Sequence, residues 1–177
     1  MYLSYIEDGE IKKSFIAQLY VISKIHNNYF TLQDYDYFNG DDIDSVLSFN
    51  IKKSIAEISN LNDYYISELL SFIDELEEYI SEVVRDNDYD FKERIVVKKV
   101  WKRYSRYLED IDDNVVKKII YFELLTITAS TDNKFNSYFK YLRNKLGIID
   151  MISKEIDNLV YANASVYKSI RDLVEIG

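Results

Sequence analysis

Apolar residues recur every three or four positions along most of this chain, the spacing that lines one face of an α-helix. Ile11, Phe15, Leu19 and Ile22 predict a helix over Ile11–Asn27, closed by an Asn27-Asn28 turn. Thr31 is placed to cap a short second helix through its hydroxyl, and Gly40 can close that helix after Tyr35. Asp41 or Asp42 opens a third helix reaching about Ser59, with Ile43, Val46, Leu47, Ile51, Ile55 and Ile58 on its apolar side. Asp63 caps the next, which runs to about Arg85 on a stripe of Ile66, Leu69, Leu70, Ile73, Leu76, Ile80, Val83 and Val84. The other side of that helix is acidic, with Asp74, Glu75, Glu77, Glu78 and Glu82.

Beyond a turn at Asp86–Asp90, the pattern predicts one helix over Phe91–Leu108, apolar at Ile95, Val97, Val100, Trp101, Tyr104 and Leu108. Asp112 or Asp113 starts the most apolar helix, about Asn114 to Ser130. Shorter helices are expected near Ser137–Leu146, Asp150–Val160 and Ala164–Val174. No interval sustains the alternation of a strand. The expectation is an all-α bundle of seven or eight helices, one domain over residues 1–177, stabilised chiefly by burying these stripes.

Composition narrows the chemistry. With no Pro and four Gly, helices must be separated by Asp, Asn and Ser turns. The absence of Cys removes disulfides, thiolate metal sites and Cys nucleophiles, and a single His excludes a histidine-rich metal centre within one chain. No apolar run approaches the roughly 20 residues of a membrane span, and the N-terminus lacks a signal-peptide pattern. A cytoplasmic protein without a cofactor is expected. The 17 tyrosines read first as packing residues rather than as a recognition device.

One stretch repeats. Sliding Leu19–Phe38 onto Leu124–Ile148 by 105 positions aligns Leu19 with Leu124, Ile22 with Ile127, Asn28 with Asn133 and Phe30 with Phe135. Each copy has an apolar helix, a polar turn, an inward-pointing Phe, a capping residue and a new helix, which suggests a pseudo-twofold pair of helix-turn-helix units. In the second copy, Ala129-Ser130, the Asp132-Asn133 turn, Phe135 as staple, Asn136 as cap and the stop Leu146-Gly147-Ile148 resemble the second half of tellurite-resistance TerB-like domains. Asn27-Asn28, Phe30 and Thr31 resemble the first. The resemblance implies a helical module acting in stress or defence. The acids that usually follow the family's turn are missing, since Lys134, Tyr138 and Phe139 occupy that region, so no metal site is carried over.

Several constellations compete for a functional role. Asp86-Asn87-Asp88-Tyr89-Asp90 starts like a calcium loop, yet Phe91 stands where the bend requires Gly and Val97 where a bidentate Glu belongs. Lys92–Arg106 carries seven basic residues against Glu93, a net +6 in a chain of net −9, leaving −15 elsewhere. Such a segment can attract phosphates or an acidic partner, but neutralisation by the preceding acidic helix is the preferred reading, and nucleic acid is disfavoured by the overall charge. His26 reads as structural, and Glu123 as exposed beside Lys117 and Thr126. No catalytic constellation emerges. The expected role is therefore non-enzymatic binding of a protein partner through Tyr29, Tyr35, Tyr37 and Phe38, with Lys99, Lys102 and Arg103 as the second candidate surface. The alternative is a viral or phage effector or immunity protein that grips a host protein or toxin in a Bcl-like groove.

Overall fold

The computed structural model describes residues 6–27, 54, 63–87, 92–129 and 135–175. All regular structure among them is helical: α1 (Gly9–Asn27), α2 (Asp63–Arg85), α3 (Glu93–Val100), a π-helical turn (Trp101–Ser105), α4 (Tyr107–Asp110), α5 (Asn114–Thr128), α6 (Asn136–Leu146) and α7 (Asp150–Glu175). The all-α bundle read from periodicity is present. The helix expected over Asp41–Ser59 lies outside the described residues apart from Ser54, which is helical and buried.

α1 is the axis of the bundle. Asp8 caps it, its Oδ1 accepting from the backbone N–H of Glu10 (2.9 Å) and Ile11 (3.0 Å). Every residue from Ser14 to Ser23 is buried, so α1 is covered on all sides rather than along the single stripe its spacing suggests. It packs against α2, α3, the π turn, α4 and α5. Its Tyr20 hydroxyl donates to Glu77, which is thereby drawn half inward from the acidic side of α2.

α2 and α3 run antiparallel. Phe72 meets Tyr104 edge-on at 5.5 Å, Glu75 meets Arg103, and the Tyr79 hydroxyl reaches the Lys99 carbonyl, a register in which one chain index rises as the other falls. The single helix expected over Phe91–Leu108 is not one α-helix. It begins at Glu93, widens into the π turn, and resumes as the short α4. An extra residue in that turn brings Ser105 into the core beside Val96, Val97, Val100, Trp101 and Leu108.

α4 is pinned by Glu109. Its Oε1 accepts from the Trp101 indole N–H (2.5 Å) and from Lys145 Nζ (3.1 Å). Burial pushes this carboxyl upward, but the Trp101 and Lys145 hydrogen bonds, the Lys145 charge and the field of Arg106 together hold its pKa below the usual value. Such a group contributes stability that is present above its unfolded pKa and lost as pH falls through the folded one. Glu109→Gln is therefore expected to flatten the loss of stability on acidification below about pH 4.3. Denaturant unfolding at stepped pH checks this, and an unchanged slope would count against the pairing.

Asp113 caps α5, accepting from the N–H groups of Val115 (2.9 Å) and Val116 (3.0 Å). Within α5, Glu123 is fully buried, contrary to the exposed position expected for it, because its register falls among Ile120, Leu124 and Ile127. Phe135 is buried as the staple reading requires, yet it also occupies the cap position of α6; Asn136 is already helical and is not the cap. Gly147 ends α6 at φ 67°, with Ile148 N–H bonded to Arg143 O (3.1 Å) and Gly147 N–H to Asn144 O (3.3 Å). That pair of bonds is the Schellman stop expected from Leu146-Gly147-Ile148. The two helices expected after Asp150 are one, since Tyr161-Ala162-Asn163-Ala164 contains neither Gly nor Pro and the alanines favour continuation.

Candidate functional site

Tyr29, Tyr35, Tyr37 and Phe38 lie outside the described residues, as does the first copy's turn; the second copy's Asp132-Asn133 turn does too. Lys99, Lys102 and Arg103 are described, and all three are exposed on α3 and its π turn. They belong to a larger basic band. Arg94, Lys98, Lys102 and Arg106 follow one another at four-residue steps and are all exposed, while Val96, Val97, Val100 and Trp101 between them are buried. In an α-helix each four-residue step overshoots a full revolution by about 40°. The π turn takes more residues per revolution, so the step from Lys102 to Arg106 does not overshoot as the earlier ones do. The π turn thus straightens the last step of a cationic line about 18 Å long.

The acidic helix does not neutralise this line as the sequence suggests. Among the ion pairs of the described residues, one joins the line to α2, through Arg103 at its edge: the guanidinium sits 3.0 Å from Glu75 and lies over the rings of Tyr79 (4.4 Å) and Tyr104 (5.3 Å). Burial raises the pKa of the Tyr104 phenol to about 12, with Glu75 adding to the effect and Arg103 opposing it, so the phenol stays a neutral donor to Glu75 (3.2 Å). Among the described residues, Arg94, Lys98, Lys99 and Lys102 make no ion pair. Like charges one turn apart on a helix repel by a few tenths of a kcal/mol per pair, about 0.2–0.5. The band thus carries a small unrelieved cost, which an external anionic surface would remove.

Trp101 is buried, with its indole edge-on to Tyr141 at 6.1 Å, and offers nothing to stack on a nucleic-acid base. A cleft of about 180 Å³ opens between α5, α6 and α7, smaller than the roughly 300–1,000 Å³ of usual ligand pockets. Three of its polar side chains are engaged with protein: the Tyr121 hydroxyl donates to Asp157 (3.0 Å), and Arg143 reaches Ser153 (3.2 Å) and Asp150 (3.4 Å). Among the described residues, no three His, Cys, Asp or Glu side chains gather as for a metal ion, and no helix is long and apolar enough to cross a membrane.

The regular spacing of the basic residues was visible in the sequence, whereas the straightening of their line by the π turn was not. No family model, curated protein or solved structure matches the chain.

Proposed function

We propose that this protein is a non-enzymatic helical module that works by binding another protein chain, in the stress or defence setting that the TerB-like resemblance implies. The supporting observation is the exposed cationic line from Arg94 to Arg106 on a chain of net −9. A strongly acidic protein that gathers net +6 into the segment Lys92–Arg106, leaves Arg94, Lys98, Lys99 and Lys102 without an ion pair among the described residues and keeps its tryptophan inside has the electrostatics of a docking face. Such a face steers encounter and selects partners by charge complementarity, while the surrounding helices supply rigidity.

Affinity capture with the wild-type chain and with a Lys99→Glu, Lys102→Glu, Arg103→Glu variant as parallel baits tests this. The expected result is a protein retained in near-stoichiometric amount by wild type and lost by the variant, both baits having the same far-UV circular dichroism. Equal recovery by the two baits, or no protein above background, overturns the reading.

A further inference from the structure

α2 presents the counterpart of the basic band. Asp74, Glu78 and Glu82 follow one another at the same four-residue step and are all exposed. They lie opposite the buried side of α2 formed by Ile73, Leu76, Ile80 and Val83. None of the three makes an ion pair among the described residues. α2 and α3 pack antiparallel through Phe72, Glu75 and Tyr79 against Tyr104, Arg103 and Lys99, so the helices that carry the acidic and the basic line are neighbours. The two lines have the same pitch, and each turns away from the core. They cannot neutralise each other within one molecule, because both face outward.

We infer that the partner of the basic band is a second copy of this chain, docked so that Asp74, Glu78 and Glu82 of each copy lie on Lys102, Lys98 and Arg94 of the other. This rests on the reading of the band as a docking face. A two-fold axis makes the interface isologous, so every acidic-on-basic contact occurs twice and the assembly closes as a dimer. The rotation that lays α2 of one copy on α3 of the other is the one that also lays α3 on α2. Four-residue steps of about 6 Å on both helices let successive pairs meet in register. Docking relieves the like-charge repulsion along both lines at once. The net charge of −9 opposes the approach of two copies, but exposed charges more than about 8 Å apart are largely screened at physiological salt, whereas the lines themselves come into contact.

Sedimentation equilibrium of the full chain tests this at about 0.05 M and about 0.5 M salt, where the Debye length is about 14 Å and about 4 Å. Wild type is expected to be dimeric at low salt, with the dissociation constant rising about tenfold or more at high salt. Two charge-reversed variants are compared, Arg94→Glu, Lys98→Glu, Lys102→Glu and Asp74→Lys, Glu78→Lys, Glu82→Lys. Each alone should be monomeric, and an equimolar mixture should recover a dimer. Lys118→Glu, Lys140→Glu, Lys154→Glu makes the same change of net charge as the first of these variants, at exposed positions elsewhere, and should leave the dimer intact.

A wild-type monomer at low salt overturns the inference, as does a dimer that survives both reversals or is lost equally in the control. If the wild-type monomer still captures a foreign protein through Lys99, Lys102 and Arg103, self-docking fails and the docking face stands. If neither copy nor foreign protein binds, both readings fail.

Discussion

Trp101→Ala should destabilise the protein by about 3–5 kcal/mol, the usual cost of emptying a fully buried tryptophan site. The side chain is 1% exposed and sits where the π turn meets α4 and α6. Its ring packs edge-on against Tyr141, and its N–H is one of two donors that hold Glu109. Truncation therefore removes core volume and a charge-assisted hydrogen bond together. Against a total stability of about 5–15 kcal/mol for a domain, a loss of that size leaves a markedly larger unfolded fraction. Trp101→Phe separates the two contributions, since it keeps most of the volume and deletes only the donor. The chain has one tryptophan, so tryptophan fluorescence cannot follow either variant and far-UV circular dichroism during urea unfolding is the suitable probe. A loss below about 1 kcal/mol for the alanine variant would place Trp101 outside the core.

The burial of Trp101 was legible from its spacing with Val97 and Val100, as were the helices later found as α1, α2, α5 and α6, within a residue or two. What periodicity missed has identifiable physical causes. A π turn adds one residue without changing the apolar composition around it, so a pattern counted at 3.6 residues per turn runs smoothly through Trp101–Ser105 and hides the inward rotation of Ser105. Glu123 was assigned to solvent on a polar side shared with Lys117 and Thr126, yet its position falls among the buried Ile120, Leu124 and Ile127, where a carboxylate is rarely found. The expected helices stopped at Val160 and restarted at Ala164, although the Asn163 between them, flanked by alanines, costs a helix only a few tenths of a kcal/mol, up to about 0.7. The candidate docking face was half legible. Its charges stand in plain sequence, but whether two neighbouring charged helices face each other or face away depends on packing angles that no spacing encodes.

α1 carries the least anticipated feature, and it supports the second large effect. Gln18 is fully buried. Its Nε2 donates to Ser105 Oγ (2.7 Å), and its Oε1 accepts from the Tyr138 hydroxyl (3.1 Å). Ser14 Oγ donates to the Tyr104 carbonyl (2.6 Å), so α1 ties the π turn on one side and α6 on the other. Burial holds the Tyr138 pKa well above the ordinary phenol value, which keeps the hydroxyl a donor.

Removing one partner of a buried hydrogen bond leaves the other unsatisfied, at about 1–3 kcal/mol, whereas replacing both by apolar groups of similar shape can be nearly neutral. Tyr138→Phe strands the Gln18 carbonyl oxygen, and Gln18→Leu strands the Tyr138 hydroxyl. Each single variant should therefore lose about 1–3 kcal/mol, with Gln18→Leu the more costly because it also removes the donor to Ser105. The double variant should lose clearly less than the sum, by about 1–2 kcal/mol in a double-mutant cycle. Urea unfolding of the four proteins measures this directly. Strict additivity would mean that the amide and the phenol do not meet across the core, and the link between α1 and α6 would then rest on apolar packing alone.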